Sequence, residues 1–185
     1  RVEAGTYLIA GATMGDITLN NCNPKHLEDV IDKLKLSGAN ISSTENSLSI
    51  EKIKLVEAVD VTTEVYPGFP TDLQAQWMAF MSIANGKSTI IDTVYHDRFT
   101  HIPELNRLGA DIQLKDNKAI VNGVKKLTGA QVMSTDIRAS AALILGAIMA
   151  EGKTEISRVY HIDRGYDSIE KKFQSLGADI ERINQ

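Results

Sequence analysis

Two kinds of helix alternate along the chain. Residues 1–14 and Ile137 to Ala150 carry mainly apolar or small side chains on every side, which is typical of buried helices. Another buried helix is predicted from the apolar positions Leu73, Trp77, Phe80, Met81 and Ala84. Between these segments, apolar residues recur at i, i+3, i+4 and i+7 and give a single stripe, as in Leu27, Val30, Ile31 and Leu34. We therefore predict three inner helices with striped helices and short strands packed around them.

Glycine residues reveal a repeat in this pattern. The same helix stop and strand start occurs three times, as Gly38-Ala39-Asn40-Ile41, Gly109-Ala110-Asp111-Ile112 and Gly177-Ala178-Asp179-Ile180. Self-similarity at long spacing indicates repeated supersecondary units. We predict one α/β (α+β) domain over residues 1–185, an inside-out arrangement of three units near 1–54, 55–123 and 124–185 around a pseudo-threefold axis. The third unit lacks its last two strands.

Composition narrows the classes of function. The chain has 185 residues, a formal charge of -4 and no block of like charges, so a nucleic-acid or membrane-surface role is not expected. The apolar run from Ala139 to Ala150 is shorter than the roughly 20 residues that span a bilayer. The single cysteine, Cys22, fits a reducing, cytoplasmic compartment. Because the chain begins on Arg1 within a helical pattern, we expect a piece of a longer protein.

The candidate chemistry lies where the inner helices begin. Thr135 is predicted as an N-cap, and Thr71-Asp72-Leu73-Gln74 as a capping box. With Arg1, these starts bring Asp72, Asp136 and Arg138 to one end of the domain. Asp72 is either a general base or a first-turn carboxylate that serves the helix dipole. Asp136 and Arg138 form either an anion pocket or an ion pair that only caps the helix.

Two arginines occupy equivalent places in the second and third units. Arg98 ends Val94-Tyr95-His96-Asp97-Arg98, and Arg164 lies in Tyr160-His161-Ile162-Asp163-Arg164. They suit either a grip on phosphate or carboxylate, or salt bridges at the rim that contribute little to stability. The four histidines and Cys22 have no metal-site spacing, so no metal and no cofactor are expected.

Five motifs carry a resemblance to a known family. They are Pro70–Gln76, Arg98–Leu105, Leu127–Met133, Thr135–Ser140 and Tyr160–Tyr166. Together they resemble the UDP-N-acetylglucosamine 1-carboxyvinyltransferase family of enolpyruvyl transferases, over essentially the whole chain. The sister family, 5-enolpyruvylshikimate-3-phosphate synthase, shares the fold but lacks two of these motifs. The resemblance implies a cytoplasmic enzyme of peptidoglycan synthesis with two domains, each of three βαβαββ units, and an active site in the cleft between them.

The resemblance also implies roles for individual residues. Asp72 corresponds to the aspartate that contacts the sugar 3-hydroxyl and is the expected base. Val94 and Tyr95 correspond to the segment that packs against the nucleotide-sugar. The remaining cleft residues are Arg98, Asp136, Arg138 and Arg164. Of these, Arg138 and the catalytic Arg164 are expected to hold the carboxylate or phosphate of phosphoenolpyruvate.

Some parts of the family pattern are not found in this chain. The loop Cys or Asp acid and the Lys-Asn pair belong to the family's other, N-terminal domain, and Cys22 does not match the loop cysteine. We therefore expect the isolated chain to have no transferase activity and to need that domain as its partner. The alternatives are a non-catalytic module that binds nucleotide-sugar and a purely structural repeat domain.

Overall fold

The computed structural model of the protein describes residues 1–183. Their helices agree in place and type with the predicted ones: α1 (Val2–Met14), α2 (Glu28–Leu36), α3 (Gln74–Met81), α4 (Ile102–Arg107), α5 (Ile137–Met149) and α6 (Ile169–Ser175). Short 3-10 turns precede three of them, at Pro24–Leu27, Thr71–Leu73 and Val159–Arg164. The strands are β1 (Ile17–Asn20), β2 (Ile41–Ser43), β3 (Ser47–Ile50), β4 (Val61–Thr63), β5 (Lys87–Asp92), β6 (Asp111–Lys115), β7 (Lys118–Asn122), β8 (Leu127–Thr128), β9 (Gln131–Met133), β10 (Ala150–Glu151) and β11 (Glu155–Ser157).

The strands form small sheets rather than one large sheet. β1, β3 and β2 pair antiparallel, with Ile17 and Ile41 both opposite Ile50. A four-stranded sheet has the order β4-β5-β7-β6, in which only β4 and β5 run parallel. In the last part of the chain, β8 pairs with β10 and β9 with β11, both parallel. The mixture of helices and sheets confirms the predicted α/β class.

The centre of the molecule consists of three helices. α3 packs along α5, and α1 contacts both. Every residue of α3 from Gln74 to Met81 is buried, as are the residues from Gly5 to Ala12 in α1 and from Ala139 to Gly146 in α5. A helix apolar on every side has no face suited to water, so burial all round follows from the sequence. The prediction of inner helices is confirmed.

Two of the inner helices are crossover connections. α3 links the parallel strands β4 and β5, and α5 links the parallel strands β9 and β11. In such a unit the first turn of the helix and the loop after the second strand both lie at the carboxyl ends of the strands. The topology therefore brings residues 64–73 and 93–101 to that edge of the four-stranded sheet, and residues 134–136 to the corresponding edge of the β9–β11 pair. Ligands of open α/β sheets commonly bind at such edges.

The repeated glycines share one local geometry. Gly38, Gly109 and Gly177 have φ of 103°, 89° and 91°, a left-handed conformation that a glycine adopts without strain. The alanine after each donates to a carbonyl five residues earlier, in Leu34, Leu105 and Phe173. The unit boundaries at 54 and 123 stay a prediction, and the last two residues of the third unit lie outside the described residues.

One predicted strand is much shorter in the structure. The alternating apolar residues at 55–65 predicted a strand, but only Val61–Thr63 forms one, with a single bridge between Glu57 and Asn85 before it. Val61 is buried within the strand, and Val56 is buried although it lies outside it, whereas Val65 is exposed. The alternation therefore reflected burial of a loop against the core as well as strand pairing.

Candidate functional site

The carboxylate of Asp72 lies between two arginines from different elements, one in the segment after β5 and the other in the first turn of α5. Arg138 donates from Nε to Asp72 Oδ1 at 2.8 Å, and Arg98 donates from Nη1 to the same oxygen at 3.2 Å. The Asp72 side chain is 38% exposed, whereas those of Arg98 and Arg138 are 14% and 28% exposed. The carboxylate is thus held by partly buried cations and still reaches solvent. We call Asp72, Arg98 and Arg138 the arginine clamp.

The loop after β5 supplies the next part of the site. Arg98 lies with its guanidinium carbon 3.7 Å from the centre of the Tyr95 ring, a cation–π arrangement. Tyr95 is 54% exposed, and Val94 is half-buried. An exposed aromatic ring backed by an arginine offers a flat surface for a planar ligand group beside the arginine clamp.

A buried carboxylate holds this loop in place. Asp92, at the end of β5, is completely buried and accepts hydrogen bonds from the amides of Val94 and Tyr95 at 2.9 and 2.8 Å. Its other donors are the hydroxyls of Thr63 and Thr71. Burial opposes ionisation of Asp92, but the hydrogen bonds outweigh it and lower the pKa of the carboxyl below its usual value.

Asp136 is the N-cap of α5. Its Oδ1 accepts from the amides of Arg138 and Ala139 at 2.7 and 3.1 Å, so the prediction of Thr135 as the cap was wrong by one residue. Thr135 instead shares a hydrogen bond with Thr100 at 3.0 Å. Asp136 Oδ1 also lies 3.8 Å from Arg138 Nη1. Asp136 therefore both begins the helix and borders the arginine clamp.

We expect Asp136→Ala to lower the free energy of unfolding by about 1 kcal/mol, because two helix amides lose their acceptor. The matched variant Thr135→Ala should cost less, since its hydroxyl bonds only another exposed threonine. Urea denaturation of both variants measures the difference. A larger loss in Thr135→Ala would reverse the assignment of the cap.

The capping box predicted at 71–74 is absent from the structure. Residues Thr71–Leu73 form a 3-10 turn, and the Thr71 hydroxyl donates to Asp92 Oδ2 at 2.6 Å instead of capping the helix. Gln74 is buried, and both of its side-chain polar atoms have no hydrogen-bond partner among the described residues. The capping box does not form because the Thr71 hydroxyl bonds instead to Asp92, which is 21 residues away in sequence at the end of β5.

Arg164 occupies a different place from the arginine clamp. It is exposed in an open groove of about 510 Å³, lined also by Glu3, Asp163, Asp167 and Arg182. Within residues 1–183 it forms no hydrogen bond or ion pair with the clamp. Similarly, Arg1 lies over the Tyr66 ring at 5.2 Å and does not join Asp72 in an ion pair among these residues.

Tyr166 nevertheless ties the segment of Arg164 to the inner helices. Its hydroxyl lies 2.8 Å from the Thr6 hydroxyl, and Gln76 Nε2 donates to both, at 3.3 and 3.2 Å. Burial is the main reason that the pKa of Tyr166 is raised above its usual value, although the bonds from Thr6 and Gln76 oppose this. This buried cluster could not be predicted from the sequence, since polar residues on apolar helices have no fixed spacing.

His101 is a buried histidine in the segment that follows β5. It begins α4, is 2% exposed, and its Nε2 has no hydrogen-bond partner among the described residues. Burial lowers its pKa to about 4, against a smaller opposing effect of Asp136. His101 therefore lies at a helix start but is buried, whereas His26 and His96 are exposed.

The buried His101 predicts a pH-dependent stability. Because the folded chain holds the imidazole neutral, the unfolded chain binds a proton first, and stability falls as the pH drops from about 6.5 towards 4. The loss reaches about 3 kcal/mol, from the difference between the two pKa values. His101→Gln should remove this part of the pH dependence in urea denaturation, and the exposed His26→Gln should keep it. An unchanged slope in His101→Gln would contradict the assignment.

Residues 1–183 contain neither a cluster of metal ligands nor a helix that could span a membrane. No group of three or more His, Cys, Asp or Glu residues that could bind a metal ion occurs within residues 1–183. In the same range, no helix has the length and apolar character needed to cross a membrane. The half-buried Cys22 lies 3.6 Å from the carbonyl of Leu19. The site therefore consists of carboxylates, arginines and an aromatic ring.

A protein-family profile described as EPSP synthase (3-phosphoshikimate 1-carboxyvinyltransferase) matches residues 1–173. The chain belongs to this family. Curated relatives of this EPSP synthase family member carry the name that the motifs suggested. UDP-N-acetylglucosamine 1-carboxyvinyltransferase of Chlorobium chlorochromatii is 56% identical over 183 residues, which are 98% of this chain and 43% of that protein. The protein of that name from Desulfosudis oleivorans is 50% identical over 184 residues, 99% of this chain and 44% of its own length. The resemblance found in the motifs is confirmed.

Solved structures of the EPSP synthase family agree with the fold. The enolpyruvyl transferase NikO from Streptomyces tendae matches with a TM-score of 0.88 and 25% identity, covering 97% of this chain and 43% of that one. EPSP synthase from Acinetobacter baumannii matches with a TM-score of 0.78 at 17% identity, which shows a shared fold alone, over 99% of this chain and 46% of that one. The chain thus spans less than half the length of the relatives it matches.

Proposed function

We propose that this chain is one domain of a transferase that moves the enolpyruvyl group of phosphoenolpyruvate to the 3-hydroxyl of UDP-N-acetylglucosamine. This reaction is the first committed step of peptidoglycan synthesis, and we place it in the cytoplasm. The observation that carries the proposal is the arginine clamp, which holds the Asp72 carboxylate partly buried and open to solvent at 38% exposure. The names of relatives at 50–56% identity supply the acceptor, UDP-N-acetylglucosamine, and the carboxyvinyl group that is transferred.

Asp72 is the proposed general base. Its free oxygen, Oδ2, can accept the proton of the sugar hydroxyl while Oδ1 stays bound to Arg98 and Arg138. The sugar oxygen then attacks C2 of phosphoenolpyruvate, and C3 takes a proton from an acid. Loss of a proton from C3 and of phosphate from C2 restores the double bond in the product. No metal or cofactor is needed for this addition and elimination.

The other site residues surround the two substrates in this proposal. Val94 and the exposed ring of Tyr95 pack against the nucleotide-sugar, and Arg98 supports the ring from behind. Arg138 and Arg164 bind the carboxylate or phosphate of phosphoenolpyruvate, because a guanidinium is suited to both. Asp136 keeps Arg138 at the start of α5. Fixed cations of this kind stabilise the charge of a tetrahedral intermediate.

The second wall of the cleft comes, in this proposal, from an N-terminal domain of the same protein. That domain supplies the acid that protonates C3 and further cations for phosphate. The groove of Arg164 is open on the structure described here, which suits a residue that meets its ligand only when the other domain closes over it. We expect the isolated 185-residue chain to have no turnover.

Phosphate release by the full-length protein tests the proposal. We expect turnover with phosphoenolpyruvate and UDP-N-acetylglucosamine, and none when shikimate 3-phosphate replaces the nucleotide-sugar. The 185-residue chain alone is the matched control and should release no phosphate. Turnover with shikimate 3-phosphate would assign the protein to the sister activity, and binding of UDP-N-acetylglucosamine without turnover would favour a non-catalytic module.

A further inference from the structure

Asp92 is a buried carboxylate that the proposed reaction does not use. It is completely buried, and its contacts among the described residues are neutral donors rather than a cation. Three of them, the Thr63 hydroxyl and the amides of Val94 and Tyr95, meet Oδ1 at 2.7 to 2.9 Å. The fourth, Thr71, meets Oδ2 at 2.6 Å. Burying a charge is costly, and these hydrogen bonds offset the cost.

The bond to Thr71 has a direction. An ionised carboxylate can only accept, and the hydrogen bonds around Asp92 keep it ionised, so Thr71 gives its one hydroxyl proton to Oδ2. The lone pairs of the Thr71 oxygen are then left for another donor. Arg98 fills this place, donating from Nη1 at 3.1 Å. The same Nη1 also donates to Asp72 Oδ1 at 3.2 Å.

We propose that Asp92 is a positioning residue, which acts through Thr71 to aim Arg98 at the carboxylate of Asp72. The chain of contacts runs from Asp92 to Thr71, from Thr71 to Arg98, and from Arg98 to Asp72. Only the last contact reaches a reacting group, the Asp72 carboxylate, so Asp92 acts on it through Thr71 and Arg98. The inference rests on the proposed function only for its kinetic consequence, because the aim of Arg98 is a geometric property.

A purely structural role for Asp92 makes a different prediction. In that case each of its hydroxyl donors contributes to stability alone, and Thr63 is equivalent to Thr71. In the positioning role the two threonines differ, since Thr71 contacts Arg98 and Thr63 accepts instead from the amide of Thr93 at 3.1 Å. Thr63 is therefore a matched control on the opposite oxygen of the same carboxylate.

The substitution Asp92→Asn reverses the direction of the hydrogen bond between residue 92 and Thr71. Its carbonyl oxygen can keep the three contacts now made by Oδ1, while its NH₂ group faces Thr71 as a donor. The Thr71 oxygen then accepts from the amide and turns its proton towards Arg98, which is itself a donor. Asp92→Asn therefore removes the aim of Arg98 with little change in side-chain volume.

The experiment compares four variants of the full-length protein: Asp92→Asn, Thr71→Val, Thr71→Ser and Thr63→Val. We expect kcat to fall about 10-fold in the first two, with KM for UDP-N-acetylglucosamine changed less than about 3-fold, because a small misplacement of a catalytic group affects the transition state most. Thr71→Ser keeps the hydroxyl and should restore most of the wild-type kcat. Thr63→Val should lower the melting temperature as much as Thr71→Val but leave kcat within about 2-fold.

Crystal structures of the same variants separate this inference from the proposed function. We expect Arg98 Nη1 to leave Asp72 Oδ1 in Thr71→Val and Asp92→Asn and to stay near 3.2 Å in Thr63→Val. If Arg98 remained in place in the first two, or if Thr63→Val lowered kcat equally, the positioning role would be wrong. A wild-type protein that releases no phosphate would contradict the proposed function, and the position of Arg98 would still decide this inference.

Discussion

Asp72→Asn should lower kcat of the full-length protein by about 10²- to 10⁴-fold, the range that a positioned general base contributes. Asn can still accept hydrogen bonds from Arg98 and Arg138 through its carbonyl oxygen, so the arginine clamp keeps its geometry. It cannot take a proton from the sugar hydroxyl. KM for phosphoenolpyruvate should change little, because Asn removes the base and leaves the cations. Steady-state phosphate release with both substrates varied measures these constants.

Asp97→Asn is the matched control for this prediction. Asp97 is an exposed carboxylate one residue before Arg98, so the substitution removes the same charge close to the site without touching the base. We expect its kcat to stay within about 3-fold of wild type, as most surface substitutions have small effects. An unchanged kcat in Asp72→Asn would show that Asp72 only orients the two arginines, and another group would then have to accept the proton.

The inner helices could be predicted because burial on every side depends on composition. A helix such as α3, from Gln74 to Met81, needs no knowledge of its neighbours to be assigned to the interior. The same holds for the glycines that end helices, whose positive φ follows from the absence of a side chain. Sheet pairing depends on distant segments instead, and this is why 55–65 was predicted as strand over too long a range.

Part of the site could be predicted because helix starts can be recognised from local sequence. Asp72 and Arg138 follow from their place at helix starts, and the structure brings them together across 66 residues. Asp92, Thr71 and Tyr166 gain their roles only from contacts between distant segments. Thr71 and Asp136 illustrate the limit of local motifs, since a capping side chain and a hydroxyl that binds a strand look identical in sequence. The role of Arg164 stays a prediction from the resemblance.

Trp77→Ala should lower the free energy of unfolding by about 3–5 kcal/mol, the usual cost of truncating a large buried aromatic residue. Trp77 is completely buried in α3. Its ring lies edge-on to the rings of Phe69 and Phe80, with distances between ring centres of 5.5 and 5.4 Å. Its Nε1 donates to the carbonyl of Val59 at 3.3 Å. Removing the ring leaves a cavity between α3 and the segment before β4, and it leaves that carbonyl without its donor.

Trp77→Phe separates packing from the hydrogen bond. Phe keeps an aromatic ring against Phe69 and Phe80 but cannot donate to Val59, so we expect a loss of about 1–2 kcal/mol. Since Trp77 is the only tryptophan, urea denaturation must be followed by circular dichroism rather than by its fluorescence. A loss below about 1 kcal/mol in Trp77→Ala would mean that the core closes around the cavity. The start of α3, which carries Asp72 into the arginine clamp, would then depend on its own loop contacts and not on the packing of Trp77.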